Sequence, residues 1–462
     1  MSFEGVLIGA FVAFNLFWLV VNIFHYYPFF RGRERKIDDT RLEIESLPKI
    51  SVLLPAYKEE EVIKKTLDNL FAADYPREKL EIIVLLEAND KETQEIVEII
   101  QKTKYPDLSY LIVKETAEPK GKPRALIQGL AKSSGDIVGV IDAEDIIEPK
   151  LFQKVAQKFQ DKSIDALMGI LDMVNEFDGW RCLEFRAEYG YWYRRALPSF
   201  KKMAYPLPLC GSACFIRKRA LEEIGGWDGY NLTEDFDLGL QLYSKDKKIA
   251  LINTVTKEEA PRTFSCWLKQ RTRWQRGKIQ TLRKIIKNPP PSLRKRILMN
   301  FLCFLPHIGL INLTGVGFGI YLLCSDFLLP LWIWVFALVN LAAILGYMYL
   351  QGEGYFQASD EIGWKKVSKA IICATTLPLY WFCQWMADFR AMKQEYITKK
   401  IVWEKTNHEG RHLKTKEERK EERLQAKINY QWDTWAYLSI ALLVFALLLM
   451  MLPIFWYFGL IR

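Results

Sequence analysis

Residues 137–145 read Ile-Val-Gly-Val-Ile-Asp-Ala-Glu-Asp. An apolar, β-favouring run gives way without a polar spacer to Asp142, Glu144 and Asp145, so a buried strand would release three carboxylates at its carboxyl end. Upstream, Ile50–Pro55, Leu80–Glu87 and Tyr110–Val113 are further β-rich runs, and helical patterns at 60–72, 91–103 and 122–133 separate the four. That alternation predicts an α/β, Rossmann-like domain with a mostly parallel sheet covered on both faces. Ligands of such sheets bind at the carboxyl ends of the strands. Pro55-Ala56-Tyr57 with Glu59, Glu87 to Asp90, and Asp142 to Asp145 all fall there.

Like charges crowded at one sheet edge repel unless a cation neutralises them, and Mg2+ or Mn2+ carrying nucleotide phosphates would do so. A polar turn leading into the helix after Pro149 is the structural alternative. Lys120-Gly121-Lys122-Pro123-Arg124 opens a helix, so two lysines and a helix N-terminus meet the same crevice as a phosphate site, or else form a solvated basic loop. Thr233-Glu234-Asp235 starts another helix. Its acids suit the helix dipole and Thr233 can cap it, which explains the residues on structure alone. A carboxylate base there could also reach an acceptor hydroxyl across the small-residue wall Gly211-Ser212-Ala213.

Half of the 462 residues are hydrophobic, unevenly spread. Stretches 5–30, 299–323, 329–350, 368–387 and 434–460 approach the ~20 residues that cross a bilayer, while 31–297 reads as aqueous protein. Arg31, Arg33, Arg35 and Lys36 follow the first stretch, the reverse of a cleaved signal, so it is expected to be a retained anchor with its N-terminus outside. The basic stretch 390–427 belongs on the same cytoplasmic side, which leaves an odd number of intervening segments. The amphipathic 368–387, with Thr375, Thr376, Pro378 and Gln384, is therefore expected in the head-group plane. Stretches 179–196 and 266–287 mix aromatics with Arg and Lys and suit helices lying on that surface, or packed on the soluble core. Eight cysteines without a CxxC pair and four scattered histidines argue against zinc and a disulfide framework. The net charge of +9 fits anionic head groups or a nucleotide diphosphate, as well as a plain topology signal, and implies no nucleic-acid partner.

With Gln270-Arg271-Thr272-Arg273-Trp274 added to these motifs, the chain resembles the membrane-integrated, inverting family 2 glycosyltransferases with a GT-A fold, the group of cellulose-synthase-like and hyaluronan-synthase-like enzymes. The resemblance implies that Asp142 and Glu144, with Asp145 beside them, hold the metal and donor diphosphate, and that Asp235 is the catalytic base in the Thr233-Glu234-Asp235 motif. It further implies that Gln270, Arg273 and Trp274 hold the leaving diphosphate and border the acceptor, and that Pro55 and Tyr57 belong to the nucleotide loop. Glu87-Ala88-Asn89-Asp90 replaces the family's Asp-Asp-Gly-Ser turn. The family's gating loop corresponds by position to Trp403, Lys405, Thr406 and His408.

The domains expected are an anchor (1–30), a cytoplasmic glycosyltransferase domain (31–260), an interfacial helix (261–297), a transmembrane hairpin (298–350), an interfacial helix with a basic loop (351–433) and a last transmembrane helix (434–462). The expected activity is processive transfer from a nucleotide sugar, UDP-linked ahead of GDP-linked, to a secreted polysaccharide. Single addition to a polyprenyl-phosphate or other lipid-linked acceptor is the alternative. Four crossings are few for a channel, so a homo-oligomer or partner subunit would complete it. A nucleotide-binding transporter or receptor would need charges along a membrane path, and the apolar segments carry almost none.

Overall fold

The computed structural model describes residues 47–114, 121–304 and 331–398, the last without the side chains of 331–341, and positions 9, 13, 16 and 410. Lys120, Trp403, Lys405, Thr406 and His408, the rest of the anchor and the last apolar stretch lie outside these residues.

Strands β1 (Ile50–Ala56), β2 (Leu80–Glu87), β3 (Ser109–Val113) and β4 (Ile137–Val140) alternate with helices α1 (Ile63–Phe71), α2 (Lys91–Thr103) and α3 (Lys122–Lys132). Then follow α4 (Leu151–Lys158), β5 (Ala166–Met173), α5 (Trp180–Tyr191), α6 (Leu197–Lys202), β6 (Cys214–Arg217), α7 (Lys218–Glu223), α8 (Glu234–Ser244), β7 (Ile249–Glu258) and α9 (Phe264–Lys287). The order in the seven-stranded sheet is β3-β2-β1-β4-β6-β5-β7. All pairings are parallel except those of β6, which runs against both β4 and β5. Central strands β1, β2 and β4 are almost wholly buried, as expected where helices cover both faces. Because β6 is reversed, the loop at its start, Gly211–Ala213, joins the edge formed by the ends of β1, β2 and β4.

Three further helices, α10 (Leu293–Phe304), α11 (Leu331–Ala358) and α12 (Gly363–Met392), complete the description. A second apolar core, separate from that around the sheet, gathers Trp180, Phe185, Trp267, Tyr347, Leu377 and Tyr380 from α5, α9, α11 and α12. Trp180, Phe185 and Tyr193 of 179–196 and Trp267 of 266–287 are thus buried inside the protein, and the other four aromatic residues of the two stretches are half-buried. Helices α5 and α11 cross at backbone contact, since a methyl on Gly190 would lie 2.0 Å from the Gly354 carbonyl oxygen. Among the described residues one helix, α12 continued to Thr398, is long and apolar enough to cross a membrane. It contains the stretch 368–387 assigned from sequence to the head-group plane. Its polar residues have partners in α5: Thr376 donates to Glu184, and Tyr380 donates to Glu188 at 2.8 Å.

Candidate functional site

At the end of β1 the chain turns through Lys58, whose φ of 57° is unusual for a residue with a side chain. Asp90 holds that turn. One carboxylate oxygen accepts the Lys58 N–H at 2.5 Å and the other accepts the Thr93 N–H, capping α2. Glu59 donates its N–H to Thr93 Oγ1 at 3.1 Å, and Gln94 donates to the Glu87 carbonyl at 2.6 Å. Asp90 and Glu59 are buried, whereas Tyr57 and Glu87 are half-exposed. Asp90 therefore shapes the loop, and Tyr57 and Glu87 are the half-exposed pair beside it.

The groups chosen from the sequence meet at Gly211. A methyl built there would lie 3.2 Å from Lys122 Nζ, 3.4 Å from Asp235 Oδ2 and 3.7 Å from Asp142 Oδ2. Lys122 donates to Asp142 and, at 2.7 Å, to the Gly211 carbonyl. Burial pushes the Lys122 ammonium down, but Asp142, Glu234 and Asp235 outweigh it and hold its pKa above the usual range. It is a fixed cation. Ser212, expected on the acceptor wall, lies behind it: its side chain is buried, accepts the Asp142 N–H at 3.1 Å and donates to Asp145.

Asp142 is half-buried, while Glu144 and Asp145 are buried. Burial, then Glu258, Glu144 and Asp142, push Asp145 well above the usual carboxylate range, and its Oδ1 has no partner. Among the described residues no three His, Cys, Asp or Glu side chains form a metal cage. Hard oxygen donors still suit Mg2+ or Mn2+, which are commonly held by one or two carboxylates and substrate phosphates. The half-buried Asp142, with Glu144 and Asp145 behind it, fits that arrangement.

Thr233 occupies the N-cap position of α8, yet its side chain caps nothing; its N–H donates to Asn231 Oδ1 at 2.9 Å, and its hydroxyl lies 3.3 Å from the same atom. It is packed instead against α9, where a methyl on Gly277 would meet Thr233 Oγ1 at 2.1 Å and its nitrogen at 2.6 Å. Helix α9 also accepts the Leu232 N–H on Gln280, bonds Asn231 through Thr281, and reaches the Leu232 carbonyl with Arg273 at 3.3 Å. The acid-bearing turn is thus pinned along the helix that carries Gln270, Arg273 and Trp274. Burial raises both Glu234 and Asp235; Asp235 raises Glu234 further, whereas Lys122 and Arg273 pull both back. Gln270 is buried with its Oε1 unpartnered. Gly277, Asn231 and Glu258 escaped the sequence reading; only the Gly three residues beyond Trp274 left a visible signal.

The pattern of the family described as Glycosyltransferase like family 2 matches residues 48–277. The "Probable glycosyltransferase YdaM" of Bacillus subtilis (strain 168) is 31% identical over 309 residues, 64% of this chain and 70% of that protein. The chain belongs to this glycosyltransferase family. Beta-monoglucosyldiacylglycerol synthase of Synechocystis sp. is 25% identical over 384 residues, 78% of the chain and 75% of that protein. Poly-beta-1,6-N-acetyl-D-glucosamine synthase of Staphylococcus aureus (strain COL) is 27% identical over 291 residues, covering 61% and 67%. Among solved structures, the mannosyltransferase PcManGT from Pyrobaculum calidifontis, in complex with GDP-Man and Mn2+, aligns with a TM-score of 0.55 at 20% identity over 81% of this chain and 99% of that one. The fold is GT-A, an α/β domain with a mostly parallel sheet.

Proposed function

We propose that this glycosyltransferase moves a sugar from a nucleotide-sugar donor to a membrane-associated acceptor by single displacement with inversion. The observation that carries the reading is the meeting of Asp142, Lys122 and Asp235 around Gly211. Asp235 takes the proton of the acceptor hydroxyl as its oxygen attacks the anomeric carbon. The bond to the nucleoside diphosphate breaks as that oxygen bonds, and Lys122 and Arg273 receive the departing negative charge. A bound Mg2+ or Mn2+ would be held by Asp142 in front of Glu144 and Asp145 and would neutralise diphosphate charge. Tyr57 and Glu87 border the nucleotide, and Gln270 and Trp274 the sugar and acceptor. UDP-sugars come ahead of GDP-sugars as donors.

The preferred acceptor is a growing polysaccharide, extended processively and passed to secretion; the likeness to the poly-N-acetylglucosamine synthase supports it. Single addition to a lipid is favoured by a different observation, that the diacylglycerol glycosyltransferase aligns over a larger share of the chain. Product sizing after incubation with labelled donor separates the two. In the membrane reading the catalytic domain is cytoplasmic and the chain multi-pass, and a cysteine placed at Thr415 labels from the cytoplasmic side of sealed vesicles. Asp235→Asn tests the chemistry: donor binding by calorimetry should persist while transfer falls by roughly 10²- to 10⁴-fold. Near-normal transfer would remove Asp235 from the mechanism.

A further inference from the structure

Arg271 has no assigned role, yet it is the most heavily engaged side chain of α9. It is buried and forms a two-pronged pair with Glu188 of α5, at 2.8 and 2.6 Å. Its Nη2 also reaches the Tyr380 hydroxyl of α12 at 3.0 Å. That hydroxyl donates to Glu188 at 2.8 Å and accepts the Trp267 indole N–H at 3.4 Å. The guanidinium carbon sits 4.2 Å from the ring centre of Phe185 and 4.6 Å from that of Trp274.

From this box an unbroken aromatic row leads back to the cleft. Trp274 meets Phe185 at 6.0 Å, Phe185 meets Tyr189 at 4.9 Å, and Tyr189 meets Tyr193 at 5.4 Å. Tyr193 lies beside Cys210, the neighbour of Gly211. A cation over a ring fixes the ring's plane without consuming a hydrogen bond, and a flat guanidinium can do so while still gripping a carboxylate with both prongs. Lysine can do only one of these.

We propose that Arg271 is a positioning residue that holds the indole of Trp274, and that Glu188 and Tyr380 hold Arg271 for that purpose. The consequence for the acceptor rests on the reading of Trp274 given above. Two mild variants test it, Arg271→Lys and Tyr380→Phe, with hydroxyl-radical labelling of the whole protein in lipid nanodiscs followed by mass spectrometry. Oxidation of Trp274 should rise several-fold in both, with Trp227, buried elsewhere in the fold, unchanged. Transfer is followed with UDP-glucose, UDP-N-acetylglucosamine and GDP-mannose as donors and with dioctanoylglycerol or a β-1,6-linked N-acetylglucosamine oligomer as acceptor. The acceptor KM should rise at least tenfold while the donor KM stays within twofold. Arg271→Lys added to Trp274→Ala should cost nothing beyond Trp274→Ala alone. Unchanged Trp274 labelling, or additive losses in the double variant, overturns the proposal. Increased labelling with unaltered acceptor kinetics would leave Arg271 holding Trp274 and would instead sink the assignment of Trp274 to the acceptor.

Discussion

At the residue scale the cleft is governed by absences of side chain as much as by charges. Gly277 lets α9 touch the turn that bears Asp235, and because the nearest atoms include the Thr233 nitrogen, no rotamer change can make room for a methyl. Gly277→Ala should therefore displace Asp235, lowering kcat at least tenfold in a transfer assay and costing about 1–3 kcal/mol of stability by overpacking. Asp235 also predicts a pH dependence. A base works ionised, and burial lifts this carboxyl above its usual range, so kcat/KM should fall on acidification through a limb lying above that of an ordinary aspartate. A limb at the usual aspartate value would contradict the buried setting. Asp142, Lys122 and Asp235 were legible because charged residues at strand ends and helix starts have few other uses. Ser212 and Asp90, expected at the acceptor and the donor, turn their side chains to internal partners for one reason that sequence does not reveal: short polar side chains bond nearby backbone as readily as ligand.

At the element scale, the first four strands and three helices were legible nearly to the residue, since each pairs a period-matched apolar run with a clear break. Strands β5 to β7 were not, because an antiparallel strand inserted between parallel neighbours leaves no alternation to follow. Helices α5 and α9 carry the amphipathic pattern of membrane-surface helices, but the same pattern serves two protein faces. At the α5–α11 crossing, Gly190→Ala meets a backbone carbonyl and should lower the thermal midpoint by several degrees, corresponding to about 1–3 kcal/mol. Six residues earlier, burial lifts Glu184 to about 8, with Thr376 and Gln351 as its bonding partners. This carboxyl stays protonated in the fold while the unfolded chain ionises near pH 4.3. Its contribution is complete below that pH and disappears as pH rises through 8. Glu184→Gln should then leave the midpoint unchanged at pH 4 and raise it at pH 8, by at most a few kcal/mol in free energy. An equal shift at both values would refute the buried acid.

At the scale of the whole molecule, the sheet domain and the last helices are fastened by a buried ionic knot. Arg186 of α5 pairs with Glu176 at 2.5 Å and Asp172 at 3.3 Å and donates to the Ala358 carbonyl at 2.8 Å. Lys369 joins Glu176 to Glu361, and the Tyr355 hydroxyl touches both acids. Removing one member of a buried set leaves the others uncompensated, at about 3–5 kcal/mol. Arg186→Met should loosen α11 and α12 from the sheet domain, seen as faster proteolysis between 359 and 363 without loss of nucleotide affinity. None of this knot was legible, because it ties residues 172–186 to residues 355–369 and each charge alone reads as a surface charge.

Tyr380 belongs both to α12 and to the ring of groups around Arg271. With α12 in the head-group plane, as the topology proposed above requires, the depth at which its apolar face sits follows the lipid composition. That depth reaches the indole through Tyr380 and Arg271. Turnover in vesicles of graded anionic-lipid content should change with composition, and Tyr380→Phe should flatten that dependence, so that the lipid surface acts as a tuning variable for the enzyme.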